Sequence, residues 1–465
     1  MKNLTLKNIA DCCHGTYFGS EEQAGTEVAG VVIDSRQVEQ DYLFVAIKGE
    51  RVDGHDFADA VFDQGAAAVL AEQKLENPKG PYILVESTKQ ALKDLAAFYR
   101  NGLDIQVVGI TGSVGKTSTK EMIASVLETK FRVLKTAGNF NNEIGLPLTI
   151  FRLKEEDEVA VLEMGISDFD EMHRLAQIAR PDICVITNIG ICHLENLGDR
   201  DGVLRAKTEI FDHLNEGGIA VLNGDDDKLS TVKQVQGKTP VFFGTGLTNR
   251  EGVANEIFAT NIKDLGLEGM EILLHFPDRE RKCVRIPIPG KHNVYNALAG
   301  ACVGKKLGLS NEEICLGIQQ AKTIGGRTNL IHGKEILIID DCYNANPVSM
   351  KAALDVLAKA KGRTIAVLGD MGELGKEEKQ LHYEVGTYAA GKQIDALFCC
   401  GELSKDLARG AVEAGDWSEV FHFSDKKDLI KALGIYRKPG DTILVKASHF
   451  MEFPEIVDFL QASAQ

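Results

Sequence analysis

IQVVGITGSVGKTSTKEMIASVLETKF, residues 105–131, runs from an apolar stretch through a glycine turn into an amphipathic segment. Ile105–Ile110 reads as a buried strand. The residues after the turn place Met122, Ile123, Val126 and Leu127 on one face of a helix. A strand, a glycine turn and a helix N-terminus gather several backbone N–H groups around one phosphate. Gly109–Thr117, GITGSVGKT, departs from the strict G-x4-GK[ST] form, because Ile110 stands where that form has its first Gly. The core is TGSVGKT. In it Thr111, Gly112, Ser113, Val114 and Gly115 shape the loop, Lys116 neutralises the β- and γ-phosphates, and the Thr117 hydroxyl reaches Mg²⁺. A chance glycine turn is the bland alternative, and the helix directly behind the turn argues against it.

On both sides of this stretch the chain alternates strand and helix patterns. Residues 1–102 form a first block, with apolar runs LFVAI (43–47), AAAVLA (66–71) and YILVE (82–86) and a helix over 88–100. Asn101-Gly102 marks its end. Residues 103–324 form a second block. Its further strands are EVAVLEMG (158–165), DICVITNIG (182–190) and GIAVLNGD (218–225), an antiparallel insertion is expected over about 240–290, and a helix covers 293–308. Residues 325–465 form a third block with strands EILIID (335–340), TIAVLGD (364–370), ALFCCGE (396–402) and TILVKAS (442–448). The expected fold is therefore α/β in three domains: a first α/β domain, a central phosphate-loop domain on a parallel sheet, and a doubly wound Rossmann-like C-terminal domain.

The 465 residues suit about three domains. A formal net charge of −16 repels a phosphate backbone and argues against nucleic-acid binding. No apolar run approaches the roughly 20 residues a membrane span needs, and MKNLTLKNIADCC, with no apolar run before a small-residue cleavage site, is not expected to act as a signal peptide. The ten cysteines show no CxxC spacing. They read as reduced, mostly buried thiols of a cytoplasmic protein.

Strand ends of an open α/β sheet point into one crevice. Glu163 ends AVLEMG and His193 follows TNIG, so both are candidate metal ligands, and a hard cation favours the carboxylate oxygen. Taken singly, each reads as a solvated strand end or a satisfied core residue. Lys207 by periodicity alone is a surface lysine.

The segments TGSVGKTSTK (111–120), NFNNEIGLPLT (139–149), EMGIS (163–167), TNIGICHLENLG (187–198), AKTEIF (206–211), GKHNVYNALA (290–299), DDCYNANPVSM (340–350) and LGDMGELG (368–375) occur in one order. Together they resemble the Mur ligases of bacterial cell-wall synthesis, over nearly the whole chain. The resemblance implies an ATP-dependent amide ligase with Mg²⁺, acting through an acyl phosphate. DDCYNANPVSM and LGDMGELG point within the family to joining of D-alanyl-D-alanine to a UDP-N-acetylmuramoyl-tripeptide.

The same resemblance implies roles position by position. Lys116 and Thr117 hold phosphates and Mg²⁺. Glu163 and His193 match metal ligands, and Lys207 matches a lysine carried as a carbamate, which turns a cation into an anionic oxygen ligand. Asn293 and Asn296 match residues around adenine, with helix capping a compatible second role for Asn293. Arg327 matches an arginine reaching the ATP phosphates, and Asp341, Tyr343 and Asn344 face the nucleotide. Ser35 and Arg36 are candidates at the UDP end of the substrate. Asn139, Asn142, Thr187 and Asn188 are expected along the muramoyl-peptide cleft. Lys446-Ala447-Ser448-His449 departs from the commoner KGS form, which weakens the D-alanyl-D-alanine role of that segment. A monomer is expected.

Overall fold

A computed structural model describes residues 1–415, 417 and 419–462. The chain forms two compact units, each assembled from separate stretches. One comprises Met1–Thr111, Phe131–Val185 and Ala206–Ala220; the other comprises Gly112–Lys130, Ile186–Arg205 and Val221–Gln465. The expected α/β class holds in both.

In the first unit, strands Thr16–Phe18, Tyr82–Leu84, Ala68–Ala71, Tyr42–Val45 and Gly30–Val32 lie side by side in that order. All neighbours are parallel except the first pair. The helix expected over 88–100 spans Thr88–Asn101, and the Ser87 side chain caps it by accepting from Gln90 N. Ala91, Leu92, Leu95, Ala96 and Tyr99 repeat at helical spacing and are buried. At its C-terminal end Tyr99 Oη donates to Leu153 O at 2.7 Å and Arg100 Nε donates to Ala179 O at 2.9 Å. The Arg100 guanidinium is thus buried on backbone carbonyls. A second ladder in this unit is parallel, with Val159–Glu163 between Gln106–Thr111 and Val133–Lys135. Its register sets Ile110 beside Glu163.

In the second unit, Val241–Gly244 runs parallel to Ile219–Asn223 on one side and to Ile257–Asp264 on the other. Met270–His275 and Arg281–Ile286 follow as antiparallel neighbours. The antiparallel part therefore begins later than about residue 240. Val241–Gly244 is almost wholly buried and reads as a short parallel strand rather than the start of a hairpin.

The C-terminal sheet has the order Asn329–His332, Leu337–Asp340, Thr442–Lys446, Thr364–Gly369, Ala396–Cys400, Val420–Phe423, with only the first strand antiparallel. Its central strands are buried on both faces. Ala366, Leu368, Leu397, Cys399 and Leu444 join one core, while Ile365, Val367, Phe398, Ile443 and Val445 join the other. Adjacent residues enter opposite cores, as the two-residue repeat of a strand requires.

Helix Lys116–Leu127 packs against helices His292–Lys306 and Asn311–Gln320 through glycines. A Cβ on Gly304 would stand 2.9 Å from Val126 Cγ1, and one on Gly317 would stand 2.4 Å from Val126 Cα. Ser125 Oγ also donates to Gly317 O at 2.7 Å. At Gly317 two effects oppose. Alanine raises helix propensity by about 1 kcal/mol, but its Cβ meets backbone that cannot swing aside, at about 1–3 kcal/mol or more. Overpacking wins: Gly317→Ala lowers the urea midpoint of this unit, and an unchanged or raised midpoint would contradict helix contact at backbone distance.

Candidate functional site

The glycine turn is shaped by its neighbours in the second unit. Gly112 has φ +151° and Gly115 has φ +82°. A Cβ on Gly112 would lie 1.9 Å from Thr187 Oγ1, so no other residue fits. Ser113 N donates to Asn188 O and Val114 N to Asn188 Oδ1, each at 3.0 Å. Val114 O accepts from Thr187 Oγ1 at 2.8 Å and from Asn188 Nδ2 at 2.9 Å. Thr187 and Asn188 therefore grip the phosphate loop itself. Lys116 Nζ folds back to Gly112 O at 2.9 Å. Helix Lys116–Leu127 begins at Gly115 without a side-chain cap, which leaves its positive end facing the loop.

Beside the loop lies a cleft of about 890 Å³. Gly115, Ser118 and Thr119 line it beside the loop, Phe243, Tyr295 and Ala299 form a more apolar wall, and Val348 and Ala352 the facing helix. Thr119 Oγ1 donates to Asn296 Oδ1 at 2.8 Å, Asn296 Nδ2 donates to Asn293 Oδ1 at 2.8 Å, and Asn293 Nδ2 donates to Pro289 O at 2.8 Å. Asn296 lines the cleft and Asn293 stands behind it. The capping role for Asn293 does not occur: the helix starts at His292, and Lys291 holds the cap position without a side-chain bond. Burial keeps the His292 pKa below the ordinary imidazole value.

The C-terminal sheet delivers further side chains to the same cleft. Arg327 Nη2 lies 3.4 Å from Thr117 Oγ1, its guanidinium stacks 4.1 Å above the Tyr343 ring, and its buried Nε has no hydrogen-bond acceptor among the described residues. Tyr343 also meets His449 edge-on at 5.6 Å. Asp341 Oδ1 accepts from Thr328 N at 2.9 Å, and Lys446 Nζ donates to Asp341 Oδ2 at 2.6 Å. Lys446 Nζ also reaches Asn344 O at 3.0 Å and Asp341 O at 3.3 Å. An ammonium has three donors, and all three are engaged, so Lys446 presents none to a dipeptide carboxylate in this arrangement. Asn344 Oδ1 accepts from Ala345 N. His193 has φ +50° and places Nδ1 2.9 Å from Glu373 Oε2. That hydrogen bond holds the Glu373 carboxyl below its usual range.

In the first unit Glu163 is 2% exposed. Its backbone N donates to Thr136 Oγ1 at 3.0 Å, and Oε1 accepts from Asn141 Nδ2 at 2.9 Å. The asparagine on Glu163 is thus Asn141, which sequence reasoning passed over in favour of its neighbours. Asn139 and Asn142 are exposed; Asn142 Oδ1 accepts from Gly145 N at 2.8 Å and from Ile144 N at 3.2 Å, just ahead of helix Gly145–Ile150. The only sequence signal for Asn141 was its place in NFNNEIG. Lys207 is 1% exposed, far from the surface lysine its periodicity suggested. Thr111 Oγ1, at the strand end, is buried with no hydrogen-bond partner among the described residues. Ser35 and Arg36 sit on a short 3₁₀ turn capped by Asp34, and Arg36 pairs with Asp34 through two bonds of 2.9 and 2.6 Å. That pairing brings the Asp34 pKa down to about 2.

Tyr295, Phe243, Asn223 and Val348 line the cleft without having been anticipated. Tyr295 had a signal in KHNVYNALA, since it shares a helix turn with Asn296. The others come from elements distant in sequence.

Among the described residues no helix is long and apolar enough to cross a membrane.

Three family profiles match the chain: the Mur ligase family, catalytic domain, over residues 27–100; the Mur ligase middle domain over 110–304; and the Mur ligase, glutamate ligase domain, over 326–449. A UDP-N-acetylmuramoyl-tripeptide–D-alanyl-D-alanine ligase of Bacillus subtilis is 41% identical over 462 residues, covering 98% of each chain. The crystal structure of MurF from Acinetobacter baumannii superposes with a TM-score of 0.88 at 32% identity, covering 98% of both chains. MurF ligase from Thermotoga maritima, solved in complex with ADP, gives 0.81 at 31% identity, covering 94% of this chain and 97% of that one. At this identity and coverage the chain belongs to the Mur ligase family.

Proposed function

We propose that this chain is an ATP-dependent ligase that joins D-alanyl-D-alanine to UDP-N-acetylmuramoyl-tripeptide in the cytoplasm, making a peptidoglycan precursor. The observation that carries the reading is the meeting of the glycine loop with Arg327, Asp341 and Asn296 at one cleft, in a chain 41% identical to a ligase so named. A division into domains 1–102, 103–324 and 325–465 accompanies it, supported by the limits of the three family profiles.

A carboxylate is a poor electrophile at neutral pH. Transfer of the γ-phosphoryl group of ATP to the tripeptide carboxylate releases ADP and gives an acyl phosphate. The dipeptide amine then forms the C–N bond, loses a proton, and inorganic phosphate leaves. The protein's part is positioning and charge stabilisation. The loop N–H groups and Lys116 hold the phosphates. Arg327, stacked on Tyr343 and lining the cleft, brings its guanidinium to the transferred group. Asn296 orients the base end of the cleft. Thr187 and Asn188 hold the loop in shape, and with Asn139, Asn142, Ser35 and Arg36 remain the candidates for the UDP-muramoyl-peptide.

Magnesium suits these donors taken unit by unit: the Thr117 hydroxyl and the His193 imidazole in the second unit, and the buried Glu163 carboxylate and Lys207 as a carbamate in the first, are the candidates to hold it. Bound there, it would neutralise charge on the phosphate oxygens. Carbamate formation needs a lysine that gives up its proton, and Lys207 is 1% exposed.

Three measurements test these statements. ADP forms only when UDP-N-acetylmuramoyl-tripeptide and D-alanyl-D-alanine are both present; steady ADP release without either contradicts ligation. Lys207→Ala loses most activity and regains part of it with added short carboxylates, whereas full activity without them removes Lys207 from the metal site. Arg327→Ala lowers kcat by about 10²–10³-fold, and Arg327→Lys recovers little, because an ammonium lacks the planar fork. A near-normal kcat in either variant contradicts the phosphate role of Arg327.

A further inference from the structure

His173 and His213 lie 40 residues apart in sequence, yet their Nε2 atoms are 3.2 Å apart in the first unit. The ring centroids are 4.5 Å apart, so the rings converge on their Nε2 corners, with an interplanar angle of 65°. Neither residue belongs to the nucleotide cleft or to any motif used above. His173 lies on helix Glu171–Ala179, and His213 follows the 3₁₀ turn Glu209–Phe211.

We propose that His173 and His213 form a binding site for a borderline divalent cation such as Zn²⁺. Two imidazole nitrogens on a tetrahedral zinc at about 2.0–2.1 Å stand about 3.3 Å apart; the observed separation is 3.2 Å. Asp212 Oδ2 lies 2.9 Å from His173 Nδ1. A carboxylate on Nδ1 fixes the ring proton there and leaves the Nε2 lone pair outward, the arrangement that supports histidine ligands in zinc sites. The segment carrying His213 is tied to the helix carrying His173, because Glu209 accepts from Asp170 N at 3.1 Å and from His173 N at 3.4 Å. The pair is therefore held in place before any ion arrives. Glu209 and Asp212 also add negative charge nearby. The His173 side chain is 40% exposed, so an ion has direct access.

Without metal, one proton sits between the two Nε2 atoms and makes the 3.2 Å contact a hydrogen bond. Binding forms two N–Zn bonds, and the His213 proton moves to its Nδ1 through solvent. No group of three or more His, Cys, Asp or Glu placed to hold a metal ion occurs among the described residues. Two imidazoles are thus the protein's contribution, and water completes the coordination. Such a bond staples the helix after EMGIS to the segment after AKTEIF, six residues beyond Lys207.

Titration calorimetry with ZnCl₂ at pH 7.5 tests the site on the full chain. The wild type binds one Zn²⁺ more per chain than the His173→Ala/His213→Ala double variant. Asp212→Asn keeps that stoichiometry and weakens the affinity about 10–100-fold. Equal stoichiometry in wild type and double variant overturns the proposal. Should the double variant unfold, ¹⁵N NMR of the wild-type imidazoles decides: Zn²⁺ shifts Nε2 of both rings, and unmoved Nε2 resonances overturn it.

Discussion

Thr187 Oγ1 stands 1.9 Å from where a Cβ on Gly112 would be, and this close approach sets the shape of the phosphate loop. With that space taken, Gly112 must be glycine, at φ +151°. The turn then carries Val114 into the grip of Thr187 and Asn188 and delivers the chain to an uncapped helix N-terminus at Gly115. An uncapped end keeps several N–H groups available for an anion. The helix is held from behind by glycine contacts from two others, so the loop rests on a rigid support.

The C-terminal sheet supplies the other half of the cleft through a buried ion pair. Lys446 and Asp341 are 2% and 8% exposed. Removing one partner of such a pair costs about 3–5 kcal/mol, because the remaining charge stays buried. The pair fastens the end of Thr442–Lys446 to the residues after Leu337–Asp340. Arg327 and Tyr343 stack at the same corner. Charge is thus fixed in place before a nucleotide binds, and preorganised charge is what phosphoryl transfer draws on.

Much of this was legible in the amino-acid sequence, for identifiable reasons. The loop announces itself because its glycines are needed by backbone geometry. The strands of the C-terminal sheet announce themselves because both faces are buried and the runs are continuously apolar. Partner choice was less legible. Three asparagines crowd into residues 139–142, and only the fold shows that Asn141 reaches Glu163. Asn293 looked like a helix cap, yet the helix begins one residue earlier. Thr187 and Asn188 turn toward Val114, and Lys446 spends its donors on Asp341 and Asn344. Each case depends on where a side chain at a loop or strand end points, which periodicity does not encode. Val241–Gly244 was misplaced for a related reason: four buried residues are too few to show whether a strand is parallel.

In the proposed reaction the tripeptide carboxylate becomes an acyl phosphate at this loop. The most direct measurement follows its oxygens. UDP-N-acetylmuramoyl-tripeptide labelled with ¹⁸O in the terminal carboxylate is converted with ATP and D-alanyl-D-alanine, and the released inorganic phosphate is analysed by mass. One ¹⁸O atom per phosphate is the result predicted; unlabelled phosphate, with product amide formed, would contradict it.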